Sequence, residues 1–149
     1  MATLTRRHLV LAAGTALLAR PDAAHATPER MRAAIAAFTG GAPLRDGRVT
    51  LDIATLVDNG NTVPVAVRVD SPMTAADHVQ RIAVFSELNP NTEVAVFHLG
   101  PRSGRAAVQT RMRLATSQRL TAVAQLSDGS HWQHSVDVVV TLAACIEGG

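Results

Sequence analysis

The sequence has one cysteine, Cys145, so no disulfide can join one part of the chain to another. Lysine and tyrosine are absent, and all 14 basic side chains are arginines. These arginines are scattered, whereas a nucleic-acid partner requires a clustered basic surface. The apolar stretch from Leu9 to Ala19 falls well short of the roughly 20 residues a helix needs to span a bilayer. No glycine-rich loop leads into a helix, so there is no phosphate cradle. No clustered Cys/His set offers zinc ligands. The acidic residues fall mostly in turns and form no evident catalytic pair. The chain is poorly equipped as an autonomous enzyme, and no cofactor or metal is expected.

What is present begins at the N-terminus. Thr5-Arg6-Arg7-His8-Leu9-Val10 is a twin-arginine pair feeding the apolar stretch, and Ala24-His25-Ala26 is a small-x-small cleavage site. Charge, apolar run and small residues follow in the order of an export signal. Residues 1–26 are therefore expected to be a twin-arginine signal, and 27–149 a single periplasmic domain. The formal charge of +2 and the pI near 9.9 belong largely to that leader. It holds Arg6, Arg7 and Arg20 against Asp22, and the rest of the chain is formally neutral.

Thr27-Pro28-Glu29 has the form of a helix start: a threonine cap, proline in the first turn, then an acid. Met31, Ile35 and Phe38 follow as one apolar stripe, and Gly40-Gly41 stops it. After Pro43 the period changes to two. Seven alternating runs begin near Val49, Val63, Val79, Val94, Ala106, Arg119 and His131, separated by turn signals. Asp58-Asn59-Gly60-Asn61 reads as a turn using positive φ at Asn-Gly. Asp128-Gly129 reads as a hairpin. One helix followed by about seven short strands predicts an all-β, immunoglobulin-like antiparallel sandwich. Pro64 lacks an N–H, so the Val63–Val69 strand is expected at an edge, or with Pro64 turned from the ladder. An apolar edge of that kind would receive a partner chain.

His131-Trp132-Gln133-His134 suggests a metal site, but positions i and i+3 of a strand point to opposite faces. Ser127-Asp128-Gly129-Ser130-His131 contains the residue types of a hydrolase triad, but a triad needs spatial convergence, and this stretch is a turn. His78 and His98 stand alone.

Cys145 remains. The last strand alternates Val136, Val138, Val140 and Leu142 against Asp137, Val139 and Thr141. With the strand ending at Leu142, the cysteine would sit on a tether of about 10 Å. A thiolate is a nucleophile and a sulfur acceptor. On such a tether it would serve as a covalent carrier site visited by other enzymes. The alternatives are a partner-binding module without carrier function and a thiol that forms an intermolecular disulfide.

Several stretches in order resemble the SoxY family, the sulfur-carrying subunit of the Sox thiosulfate-oxidising system. They are Asp58-Asn59-Gly60-Asn61-Thr62-Val63-Pro64-Val65, Ser71-Pro72-Met73-Thr74, Leu88-Asn89-Pro90-Asn91, Thr110-Arg111-Met112-Arg113-Leu114-Ala115, Leu126-Ser127-Asp128-Gly129-Ser130, and a valine-rich last strand running into Cys145. The resemblance implies a periplasmic sandwich paired with a SoxZ-like small β subunit. It also implies sulfur held on Cys145 while haem, manganese-type hydrolase and dehydrogenase partners act on it. The tail departs from the family's Gly-Gly-Cys-Gly-Gly. Ala143-Ala144 precede the thiol and Ile146-Glu147 follow it, giving a stiffer approach and a negative charge beside the sulfur.

Overall fold

A computed structural model describes residues 26–144. The expected signal, apart from Ala26, and Cys145 with the residues after it lie outside the described residues.

Helix α1 (Pro28–Thr39) forms as its local signals dictate. The Thr27 backbone is extended, and its hydroxyl accepts the Arg30 N–H at 3.2 Å. Gly40 turns left-handed at φ 64° and ends the helix. Met31, Ile35 and Phe38 are buried, as the stripe predicts, against Ala83, Phe85 and Val123 of the sheet below. Burying each of the three larger side chains stabilises the fold by about 1.5–3 kcal/mol.

The strands are β1 (Leu44–Asp46), β2 (Val49–Asp52), β3 (Leu56–Asn59), β4 (Val63–Val69), β5 (Val79–Ser86), β6 (Glu93–His98), β7 (Ala107–Met112), β8 (Gln118–Leu126) and β9 (His131–Leu142). One sheet runs β1-β9-β8-β5-β6, with β3 also on β9, and it faces a second sheet, β2-β4-β7. Inward side chains of β4, β5, β8 and β9 fill the space between the sheets, and α1 covers part of the outer face. Val136, Val138 and Val140 point into the core, as the alternation predicts, whereas Leu142, assigned to the same face, is exposed where the strand has outrun the sheet. The Asp128-Gly129 hairpin joins β8 to β9, with Gly129 at φ 81°.

Three expectations need correction. First, the described residues form nine strands, not about seven, and the sheet is mixed rather than purely antiparallel. The additional strands, β1 and β3, have 3 and 4 residues and lie in tandem, parallel to β9. Neither is long enough to show a period. Second, β4 is the middle strand of its sheet. Its ladder with β2 stops at the pair Asp52–Ala66, so Pro64 lies beyond that ladder while still opposing Arg111 of β7. Val63, Val65, Val67 and Val69 are apolar because they are core residues, exposed by 2%, 3%, 1% and 7%. They offer no surface to a partner. Third, Gly60 is not among the residues of positive φ. Its role is close packing.

His131 is buried under the end of α1, edge-on to the Phe38 ring at 6.3 Å. Among the described residues neither ring nitrogen has a partner at hydrogen-bonding geometry. Burial lowers its pKa below the ordinary histidine value, the positive charge of Arg81 adds to this, and the Gly129 backbone opposes it. Arg81 is fixed nearby by bonds to Gln125 Oε1 at 2.7 Å and the Phe38 carbonyl at 3.2 Å.

Two outcomes follow from this packing. Ile35→Ala should cost about 2–4 kcal/mol in urea unfolding, as the helix loses its central contact. His131 is neutral in the fold, and its folded pKa lies below the unfolded value of about 6.5. The stability tied to the neutral ring is complete above that pH and is lost as pH falls through the folded-state value. His131→Phe should therefore raise the urea midpoint more at pH 5 than at pH 8, where melts of both proteins are compared.

Candidate functional site

The chain that leads to Cys145 parts from β8 early, keeping only β3 as a strand neighbour. Pairing of β9 with β8 ends at Val138, opposite Gln118, the first residue of β8. Beyond Val138 the chain is held from both sides by other atoms. On one side the Val139 N–H donates to the Thr55 carbonyl at 2.8 Å, the Thr141 hydroxyl to the Asp58 carbonyl at 3.1 Å, and the Gly60 N–H to the Leu142 carbonyl at 2.8 Å. On the other side the Val140 N–H donates to Ser117 Oγ at 2.9 Å, and the Ala144 N–H donates to the Leu114 carbonyl at 3.1 Å. The Leu114 N–H in turn donates to the Gly60 carbonyl at 2.8 Å. Three segments distant in sequence thus meet at one junction.

Gly60 makes the junction possible. A Cβ there would fall on the Leu114 carbonyl oxygen, 2.9 Å from the Ala144 nitrogen and 3.2 Å from the Val140 side chain. No other residue allows these backbones to approach so closely. Ala144 itself is buried, at 7% exposure. The strand does end at Leu142, but the fold keeps hold of the chain through Ala144. The tether before the thiol is therefore shorter than expected.

The loop carrying Leu114 is set by a buried amide cluster that the sequence reading passes over. The Asn89 side chain donates to the Arg113 carbonyl at 2.8 Å and accepts the Ala115 N–H at 3.0 Å, bracketing Leu114. Gln118 Nε2 donates to Asn89 Oδ1 at 2.8 Å, and Gln118 Oε1 accepts the Leu88 N–H at 2.9 Å. Both amides are buried and bonded, as burial of polar groups requires. In the sequence, Leu88-Asn89-Pro90-Asn91 shows only turn chemistry. The available signal is its place in an ordered set with Asp58–Val65, Thr110–Ala115 and the tail, since these stretches converge here.

The remaining stretches meet at the other end of the sandwich. His78 N–H donates to Ser127 Oγ at 3.1 Å, and the Val79 N–H approaches the Met73 sulfur at 3.4 Å. In the hairpin, the Ser130 hydroxyl and N–H both donate to Asp128 Oδ1. The hydroxyl bond is the largest influence holding that carboxyl below the usual carboxylate range. His131 makes no bond to either residue, so no proton relay exists. His131 lies under α1, whereas His134 Nδ1 accepts the Leu51 N–H from the opposite sheet at 2.9 Å. The two imidazoles face opposite ways, as the period of two predicts. Among the described residues no three of His, Cys, Asp and Glu gather to hold a metal ion.

Large apolar side chains stand exposed near the junction. Leu56 and Val139 oppose each other across β3 and β9, with Leu142 beyond them, at 61%, 54% and 61% exposure. The surface ion pair between Arg119 and Asp137 lies on the same stretch of β8 and β9, with nitrogen–oxygen distances of 2.8 and 3.0 Å.

Comparisons with known proteins agree with this geometry. The family model for sulfur oxidation protein SoxY matches residues 35–145, so the match runs through the junction to the cysteine. The solved structure of the sulfur carrier protein SoxY from Chlorobium limicola f thiosulfatophilum is similar at 28% identity and a TM-score of 0.64. That likeness covers 75% of this chain and 92% of the other. A superoxide reductase (neelaredoxin) from Ignicoccus hospitalis is similar at 18% identity and a TM-score of 0.56, over 77% of this chain and 94% of that one. A putative superoxide reductase from Thermotoga maritima is similar at 20% identity and a TM-score of 0.54, over 69% and 89%. At such identities the likeness is one of fold. No match is found among curated proteins. With a family match over most of its length and a likeness to a solved sulfur carrier protein SoxY, the chain belongs to the SoxY family of sulfur-carrier proteins.

Proposed function

We propose that the protein holds sulfur intermediates covalently on Cys145 and presents them to separate enzymes. The observation that carries this reading is the junction at Ala144. The fold grips the chain up to the residue before Cys145, which is where a carrier must separate a rigid body from a reactive terminus. Membership of the SoxY family gives the cargo class as sulfur, and implies pairing with a SoxZ-type subunit. Haem, hydrolase and dehydrogenase enzymes of a Sox system would visit the thiol in turn. Export of 27–149 to the periplasm by the twin-arginine route, with residues 1–26 removed, completes the reading.

The Cys145 thiolate and the terminal sulfur of thiosulfate form a sulfur–sulfur bond. The two electrons released pass to a partner oxidase, and the thiol proton passes to solvent. The alternative of a binding module without a carrier site drew on an apolar β4 edge, and those valines are core residues. The carrier reading is the better supported.

Intact-mass measurement after exposure to thiosulfate and the partner oxidase should show one thiosulfate-derived adduct. Cys145→Ser should abolish it. An adduct that persists in Cys145→Ser would show that the sulfur is held elsewhere.

A further inference from the structure

The last six described residues, Val139 to Ala144, have lost β8 as a neighbour, because β8 begins only at Gln118. Ser117, the residue just before it, takes over with its side chain. Its Oγ accepts the Val140 N–H at 2.9 Å and donates to the Val140 carbonyl at 3.4 Å. One hydroxyl thus stands in for both groups of a strand residue. The loop then turns outward and returns at Leu114, where a single carbonyl receives the Ala144 N–H. Asn89 fixes that carbonyl from behind by bonding to both flanking residues, Arg113 and Ala115.

We propose that the 113–117 loop is a fulcrum that sets where the chain leading to Cys145 leaves the folded body, with Ser117 and Asn89 as its positioning residues. Its purpose rests on the carrier reading; its contacts do not depend on what the thiol carries. With the fulcrum closed, Cys145 follows a fixed point by one peptide unit. Opening it frees one side of residues 139–144; only when β3 lets go as well, back to Val138, does the arm gain six residues, or about 20 Å of reach at roughly 3.4 Å per residue. Ser117 is exposed, so its hydroxyl can be removed without opening the core.

Amide hydrogen exchange on the full chain reads the fulcrum directly. In the wild type the Val140 and Ala144 amides should be protected. Ser117→Ala should speed their exchange by about fivefold or more, with β8 amides such as Val123 unchanged. Ser117→Thr restores the hydroxyl and should restore protection, which a general loss of stability would not do. Gly60→Ala should release the same two amides, because its methyl enters the junction. A nitroxide on Cys145 should sharpen its spectrum in Ser117→Ala and not in Ser117→Thr. Asn89→Ala should release Ala144; if that variant does not fold, the serine pair decides alone. Exchange of the Ala144 amide at the unprotected rate in the wild type, or no response to Ser117→Ala, would overturn the proposal. Because exchange is read without any sulfur substrate, its failure is distinct from failure to form the Cys145 adduct.

Discussion

The structure around the tail depends on contact between three backbones at Gly60, Leu114 and Ala144. Each bond in that junction joins main-chain groups, and each segment reaches it from a different part of the fold. Gly60 arrives at the end of β3, Leu114 in the loop between β7 and β8, and Ala144 two residues past β9. Main-chain contacts constrain side-chain identity little, with one exception: the point of closest approach admits no Cβ. This accounts for a glycine of ordinary φ between two asparagines. It also gives Ala144 a physical reason. A residue held by a hydrogen bond and buried at 7% exposure has a fixed conformation. Alanine loses less freedom than glycine on being fixed. The stiffness that looks unfavourable for a flexible arm suits a segment that is anchored.

The sandwich keeps this junction in place by holding two of its contributors, the β7–β8 loop and β9, independently of each other. Asn89 and Gln118 tie the β7–β8 loop to the loop after β5 through bonds that are buried and mutually satisfied. β3 has few resources of its own, with four residues and one neighbouring strand. It relies on Val57, which enters the core beneath it. The junction is therefore assembled from a firm side and a weaker one. The β9 end lies between them.

Legibility in the sequence follows the range of the interaction. The cap at Thr27, the stripe of Met31, Ile35 and Phe38, and the stop at Gly40 all act within a few residues, and all are readable. The Asp128-Gly129 hairpin and the inward alternation of β9 are equally local. β1 and β3 were invisible because each acquires its identity from β9, far along the chain. The Thr141–Asp58 bond, for example, spans 83 positions. Pro64 signalled an edge correctly for its own position and wrongly for its strand, since β2 ends two residues short of it. Gly60, Asn89 and Ser117 were misread or overlooked for one reason. Their residue types favour turns, and turn chemistry conceals a tertiary role that appears only when the partner segment is in place.

The position of the anchor also bears on how a carrier balances reach against encounter. A terminus on a long flexible tether explores a large volume, and its effective concentration at any one partner falls steeply with tether length. On the proposed carrier reading, fixing the chain at Ala144 would hold that volume small, and would require a visiting active site to come close to the body of the protein. Three of the four exposed large apolar residues of the described fold, Leu56, Val139 and Leu142, lie in that same region on the strand pair β3 and β9, and none on β4, whose valines are consumed by the core. A short anchored approach and a bare apolar surface beside it are two consequences of one topological fact. β9 outruns β8 by four residues and the chain runs on to Ala144, and short pieces of chain with little side chain to spare must cover the excess.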